Sequence, residues 1–353
     1  MPILLPSGTS YDSISQSYNN WHKIDSLRYT IMPPNIVVVF GATGTQGGSV
    51  VAALLKNPSY KVRAATRNIT SPKSKELVSQ GAEVVYADLD DYNSVVNALK
   101  DAYAVFGLTN SLTTLATIGP EESSKVEINQ GKNIANAAAS SSTLQHFIWS
   151  TLPHTHSFAV PHFDCKAAVD EYIFTTLPSL ATKTTFFYSG YYASNLLEFL
   201  PPVKDASSGK YTWVQPCSPR TRTPMMGLAE INVGVFVEAI LENPAISLPS
   251  KYVLGSVDDI SFGDLLNLWA ETLDVEAEYV QVSGEKYAKT FFAGELLGRE
   301  LAVMAKFWEV EGFKGYGDSV LTKEDLGINP TRLVTTKQAF ERLDWGTVAK
   351  PSK

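Results

Sequence analysis

The chain has 353 residues, enough to bury a large core in one extended or two modest domains. Its 36 acidic and 29 basic residues leave a net charge of −7, which argues against a general nucleic-acid or anionic-membrane surface. The two cysteines, Cys165 and Cys217, show no disulfide or metal spacing, and the pattern is that of a reduced intracellular protein.

Residues 1–33 are polar and rich in Ser, Tyr and Asn, without helical or strand periodicity. The apolar start, Ile3-Leu4-Leu5, is too short for a signal-peptide core. Met32 stands four residues before the first strand, where an initiator would. Residues 1–33 are therefore expected to be a disordered extension or the product of a mis-assigned upstream start.

From Ile36 to Arg67 the pattern is a β-turn-α-β unit. The β-branched run Ile36-Val37-Val38-Val39-Phe40 reads as a strand buried on both faces. It ends in Gly41-Ala42-Thr43-Gly44-Thr45-Gln46-Gly47, a glycine-rich turn opening a helix, and a second strand spans Tyr60 to Thr66. Glycines in such a turn let the backbone approach a pyrophosphate, whose charge sits among the unpaired N–H groups of the helix N-terminus. The spacing is G-x-x-G-x-x-G, and its context carries the reading: a strand before, a helix after, and Arg67 twenty residues beyond Gly47. An Asp or Glu there would suit a ribose 2′-hydroxyl, whereas the paired donors of a guanidinium suit a 2′-phosphate. No carboxylate lies between Lys61 and Lys75, so NADP(H) is expected over NAD(H).

Further along, a helix over 73–80 leads to a third strand over 82–87 and to Asp88-Leu89. Asp88 has two readings, as a residue flanking the adenine and as the N-cap of a helix over 91–100. A fourth strand (102–107) runs into Leu108-Thr109-Asn110, a long helix follows at roughly 120–140, and the fifth strand, 146–150, ends at Ser150 and Thr151. Helix 162–176 and strand 183–188 complete six β-α repeats, which predicts an α/β fold with a doubly wound parallel (Rossmann) sheet. From Gly190 the alternation stops, and a Tyr-, Phe- and Trp-rich stretch reads as a smaller substrate or lid region of helices and short strands. The expected division is 34–190 as an NADP-binding domain and 191–353 mainly as this region, interleaved because 228–256 (a helix, then a strand at 252–255) returns to the main sheet.

These residues resemble the NmrA-like family of atypical short-chain dehydrogenases/reductases. The likeness rests on Val39 through Val50, on Thr66-Arg67-Asn68, on His162-Phe163-Asp164-Cys165-Lys166, and on Tyr191-Tyr192-Ala193-Ser194-Asn195-Leu196. It covers about residues 35–345. The resemblance implies that Gly41, Ala42, Thr43, Gly44, Thr45 and Gln46 hold pyrophosphate and ribose, that Arg67 meets the 2′-phosphate, and that Thr109, Asn110, Lys166, Tyr192 and Asn195 lie near the nicotinamide.

Short-chain reductases generally use Tyr-x-x-x-Lys, and here the matching positions are His162 and Lys166. Spacing of four on a helix places both on one face. Lys166 would bind the ribose and favour a developing alkoxide, and His162 or a tyrosine would donate a proton. Ser150 is expected to orient substrate or to satisfy local backbone groups. His154, His156 and His162 form a set that no nearby residue completes as a metal site, so no metal is expected.

Two functions follow from the resemblance. One is an NADP(H)-dependent oxidoreductase acting on an apolar small molecule, as in fungal secondary metabolism. The other is a non-catalytic NADP(H) sensor that engages a partner protein such as a transcription factor, a reading favoured by the missing tyrosine. Neither involves direct nucleic-acid or membrane binding. The expected location is cytoplasmic, or nuclear for a regulator.

Overall fold

The computed structural model describes residues 34–110, 112–317, 319–346 and 348. The extension expected at 1–33 lies outside them. Residues from Asn35 onward form one compact unit.

The first strand, β1 (Asn35–Val39), shows how the main sheet is built. Val37 and Val39 pack into the core on one face, Val38 and Phe40 into the core on the other. Side chains alternate along a strand, so a continuous apolar run is what a strand covered on both sides requires. Six more strands join it: β2 (Tyr60–Thr66), β3 (Glu83–Tyr86), β4 (Ala104–Gly107), β5 (His146–Thr151), β6 (Thr184–Ser189) and, much later, the strand Lys251–Gly255. Every pairing is parallel. The order runs from Lys251–Gly255 through β6, β5, β4, β1 and β2 to β3. The direction of winding reverses between β1 and β4, which is where ligand crevices open in such sheets.

Helices α1 (Thr45–Leu54) and Ala229–Glu242 cover one face, where Val50, Val51, Val233 and Ile240 are fully buried. They cross closely: the Gly234 N–H donates to Ser49 Oγ at 2.8 Å. Helix α2 (Pro72–Ser79) follows β2. The opposite face carries α3 (Tyr92–Ala98), α4 (Leu112–Ser140) and α5 (Pro161–Thr176). The long helix expected at 120–140 begins earlier. It is broken at Gly119, whose φ of 79° is non-helical, and Pro120 starts the second segment, a position where a missing N–H costs nothing.

Beyond β6 the chain builds two three-stranded sheets. One joins Tyr191–Tyr192, Arg222–Gly227 and Asp258–Ser261; the other joins Val203–Lys204, Tyr211–Gln215 and Ala277–Gln281. Together with helices Phe262–Leu273 and α6 (Glu295–Val310) they enclose a separate aromatic core that includes Trp213, Phe262, Trp269, Phe307, Trp308 and Trp345. Full burial of each such side chain contributes about 1.5–3 kcal/mol. Among the described residues no helix is long and apolar enough to cross a membrane.

Candidate functional site

The turn after β1 is shaped by two glycines. Gly41 has φ +62°, a conformation that side chains with a Cβ rarely adopt. A Cβ on Gly47 would lie 2.3 Å from the Gly41 carbonyl oxygen, so glycine there lets α1 start directly against the turn. The N-cap of α1 is Gly44, and no side chain caps the helix. The N–H groups of an uncapped first turn point outward with the positive end of the helix dipole, an arrangement suited to an anion.

A cavity of about 230 Å³ opens beside this turn, between the ends of β1 and β4. It gathers Gly41, Thr43, Arg67, Asp88, Leu89, Thr109 and Asn110 from four separate loops. A second hollow of about 430 Å³ shares Thr43, Thr66 and Arg67 and adds Asn68, Ser71 and Lys73. Of the two arginines on this edge, Arg63 is engaged within the fold, with Nε 3.0 Å from Glu83 Oε1 and Nη1 3.0 Å from the Ala98 carbonyl. Arg67 is exposed and borders both hollows. Lys73, which the sequence reading missed, donates from Nζ to the Thr43 carbonyl at 3.1 Å and so stands over the same opening. The Asp88-Leu89 loop is tied to α4 by Asn133 Nδ2, which donates to the Leu89 carbonyl at 2.8 Å. One of the two readings of Asp88 is corrected here. The N-cap of α3 is Asp91, whose carboxylate accepts from the Asn93 N–H at 3.1 Å, because α3 starts one residue beyond it.

Lys166, on α5, reaches the loop after β4 and helix α4. Its ammonium lies 2.7 Å from Glu127 Oε1 and donates to the Thr109 carbonyl at 2.8 Å, with the Trp149 ring 5.9 Å away. Glu127 is buried, and it also accepts from Thr109 Oγ1 at 2.6 Å and from Cys165 Sγ at 3.2 Å. Cys165 thus shares the carboxylate that its neighbour Lys166 meets. Sequence reasoning missed Glu127, although a signal was present: with Gly131, Ile134 and Ala138 it lies on the buried stripe of α4.

His162 and Lys166 keep their i, i+4 spacing but turn to different acids. His162 is buried and its Nδ1 lies 2.5 Å from Oε1 of Glu300 on α6; the same oxygen accepts the His162 backbone N–H at 2.9 Å. No side chain of the N-cap residue Val160 caps α5, and Glu300 supplies an anion at that helix end from across the fold. His154 and His156 pack ring to ring at 5.1 Å, and among the described residues no group of three or more His, Cys, Asp or Glu could hold a metal.

Ser150, Gln46 and Tyr192 meet. Ser150 Oγ donates to Gln46 Oε1 at 2.8 Å, and Gln46 Nε2 donates to the Tyr192 hydroxyl at 2.7 Å. Ser189 Oγ donates to the same hydroxyl at 3.1 Å. Burial pushes the Tyr192 phenol above its ordinary range. Asn195 opens the short helix that follows, half-buried. Neither hollow is lined by Ser150, His162 or Tyr192.

A family model of the NmrA-like family matches residues 33–348. An NmrA-like family domain-containing protein of Dictyostelium discoideum is 28% identical over 318 residues, 88% of this chain and 98% of that protein. An NmrA-like family domain-containing oxidoreductase of Aspergillus hancockii is 41% identical over 119 residues, 33% of this chain and 34% of that protein. Among solved structures, NmrA, a negative transcriptional regulator solved in complex with NAD, superposes with a TM-score of 0.70 at 20% identity, covering 89% of this chain and 100% of that one. NmrA solved in complex with NADP gives 0.68 at 20% identity, covering 88% and 96%. At that identity the structural likeness speaks for the fold, and the family match for kinship: the chain belongs to the NmrA-like family.

Proposed function

We propose that the protein is an NADP(H)-dependent oxidoreductase acting on an apolar small molecule, in the manner of fungal secondary-metabolite enzymes. The observation that carries this reading is an uncapped helix N-terminus following a glycine turn whose Thr43 lines the same hollow as two cations, Arg67 and Lys73. Positive potential from both sources suits a ligand that carries a pyrophosphate and a ribose 2′-phosphate. Bound there, the nicotinamide would supply hydride chemistry. The turn from Gly41 to Gly47 would hold the pyrophosphate, Asp88 and Leu89 would border the adenine, and Thr109, Asn110, Lys166, Tyr192 and Asn195 would border the nicotinamide half. Lys166 would keep a positive charge beside the reacting oxygen, damped by Glu127. Aspergillus relatives named oxidoreductases support the enzyme reading.

A second reading, a nucleotide-sensing regulator with a protein partner, draws on one observation. The side chains expected to receive a substrate are bonded to one another or to Glu300. NmrA, itself described as a transcriptional regulator, is the relevant likeness.

The test is a fluorescence titration of the full chain with NADPH, NADP⁺ and NADH, followed by incubation with apolar ketones, enones and imines while NADPH absorbance is watched. Tight NADPH binding with consumption supports the enzyme. Tight binding without consumption across all three classes supports the regulator, and no binding of any nucleotide refutes both.

A further inference from the structure

Resting on the oxidoreductase reading above, we propose that the Tyr192 hydroxyl, held by Gln46, is the group that donates the proton in the reaction. It takes the role that the chain leaves without a tyrosine at position 162.

The candidates separate by their contacts. His162 is turned onto Glu300, with both its ring Nδ1 and its backbone N–H directed at one carboxylate oxygen. The ammonium of Lys166 is engaged by Glu127 and the Thr109 carbonyl. Tyr188 is buried and stacks on Tyr252 at 4.9 Å, and Tyr191 is buried in the aromatic core against Phe262 and Trp308. Tyr192 alone of these three tyrosines is half-buried rather than buried.

Its hydrogen bonds have the polarity that a proton donor needs. Gln46 Nε2 and Ser189 Oγ both donate to the phenol oxygen, at 2.7 and 3.1 Å. The hydroxyl proton is then committed to neither of these neighbours, and the two donors stabilise the phenolate once that proton has gone. Ser150 fixes the amide: its hydroxyl donates to Gln46 Oε1, which directs Nε2 towards Tyr192. Gln46 is also the second residue of α1, at the helix end where the cofactor's phosphates would sit, so the residue that aims the tyrosine would border the cofactor as well. Burial keeps the phenol above its ordinary range, so it carries its proton at neutral pH.

In the reduction of a ketone, the carbonyl carbon gains hydride from NADPH, the C=O π pair moves to oxygen, and that oxygen takes the proton as the Tyr192 O–H bond breaks. The substrate is reduced by two electrons, NADPH becomes NADP⁺, and the phenolate regains a proton from solvent through the half-exposed Ser189.

Full-length wild type and Tyr192→Phe, which keeps the ring and deletes the hydroxyl, test this. NADPH dissociation constants of both are measured first, so that a loss of cofactor binding is told apart from a loss of proton transfer. A wild type that binds no NADPH refutes the cofactor reading itself, and the tyrosine assignment falls with it. Where both bind, a measurement without substrate follows: tyrosinate absorbance titrated against pH with and without NADP⁺. A cationic ring beside Tyr192 should bring one tyrosine's ionisation down by about one pH unit or more, a step missing from Tyr192→Phe. The same step in the variant, or none in wild type, overturns the assignment. With phenanthrenequinone as probe acceptor, kcat should fall about 10²- to 10⁴-fold in the variant with the KM for NADPH unchanged. A kcat kept within about threefold would overturn it equally.

Discussion

Removing the charge of Lys166 should destabilise the fold before it tests any catalytic role. The Lys166 side chain is 12% exposed and that of Glu127 is 1% exposed, with their charges 2.7 Å apart. Lys166→Met leaves a buried carboxylate facing Thr109 Oγ1 and Cys165 Sγ, but without its cation. Breaking one side of a buried pair costs about 3–5 kcal/mol, and the donors that survive, Thr109 and Cys165 among them, place this case near the lower end, about 3 kcal/mol. Glu127→Gln keeps the volume and leaves Lys166 its bond to the Thr109 carbonyl, so about 1–2 kcal/mol is expected. The double variant removes both charges and should cost only about 2 kcal/mol, a coupling of roughly 2–3 kcal/mol relative to additivity. Urea unfolding of the four proteins without nucleotide measures this directly. Effects additive to within about 0.5 kcal/mol would refute the ion pair as an energetic unit. Loss of activity in a Lys166 variant therefore bears on chemistry only when its unfolding free energy is known.

Other outcomes follow from single contacts. Arg67→Ala and Lys73→Ala should each weaken NADPH binding by about 1–2 kcal/mol, the low part of the charge-assisted range because both side chains are exposed, and leave NADH binding unchanged. Equal losses for both nucleotides would remove the 2′-phosphate assignment. Gly47→Ala places a Cβ within 2.6 Å of three backbone atoms, which cannot swing aside, and should cost about 2–4 kcal/mol on thermal unfolding. An unchanged midpoint would show that α1 does not abut the turn. Asp170 is buried, bonded by the Tyr252 hydroxyl at 3.2 Å, and burial raises its carboxyl well above the ordinary range. The folded form then holds a proton that the unfolded form releases. The resulting stability is complete below the ordinary carboxylate range and is lost as pH rises towards the folded value. Asp170→Asn cannot ionise, so wild type should lose stability relative to the variant progressively as pH rises above the ordinary carboxylate range. Parallel pH profiles would contradict the buried-acid assignment.

The legible part of this protein is the part that local geometry writes. A strand covered on both faces must be apolar at every position, as Val37 through Phe40 are, and a turn abutting a helix must be glycine where a Cβ would strike backbone, as at Gly47. The β-α alternation and Arg67 at the end of β2 could therefore be read along the chain. Asp88 was half-legible, since Asp88 and Asp91 are both carboxylates before a helix and only the starting residue of α3 decides between them.

What only the tertiary structure decided is the pairing of polar groups. Lys166 meets Thr109 from 57 positions away, Ser150 meets Gln46 from 104, and His162 meets Glu300 from 138. Glu127 and Glu300 each left a mark in the sequence, a carboxylate on an otherwise apolar helix stripe. That mark announces a buried charge without naming its partner, because the partner must come from whichever element packs there. Periodicity records which face of an element leaves water; which side chains meet once it has left depends on how distant elements pack.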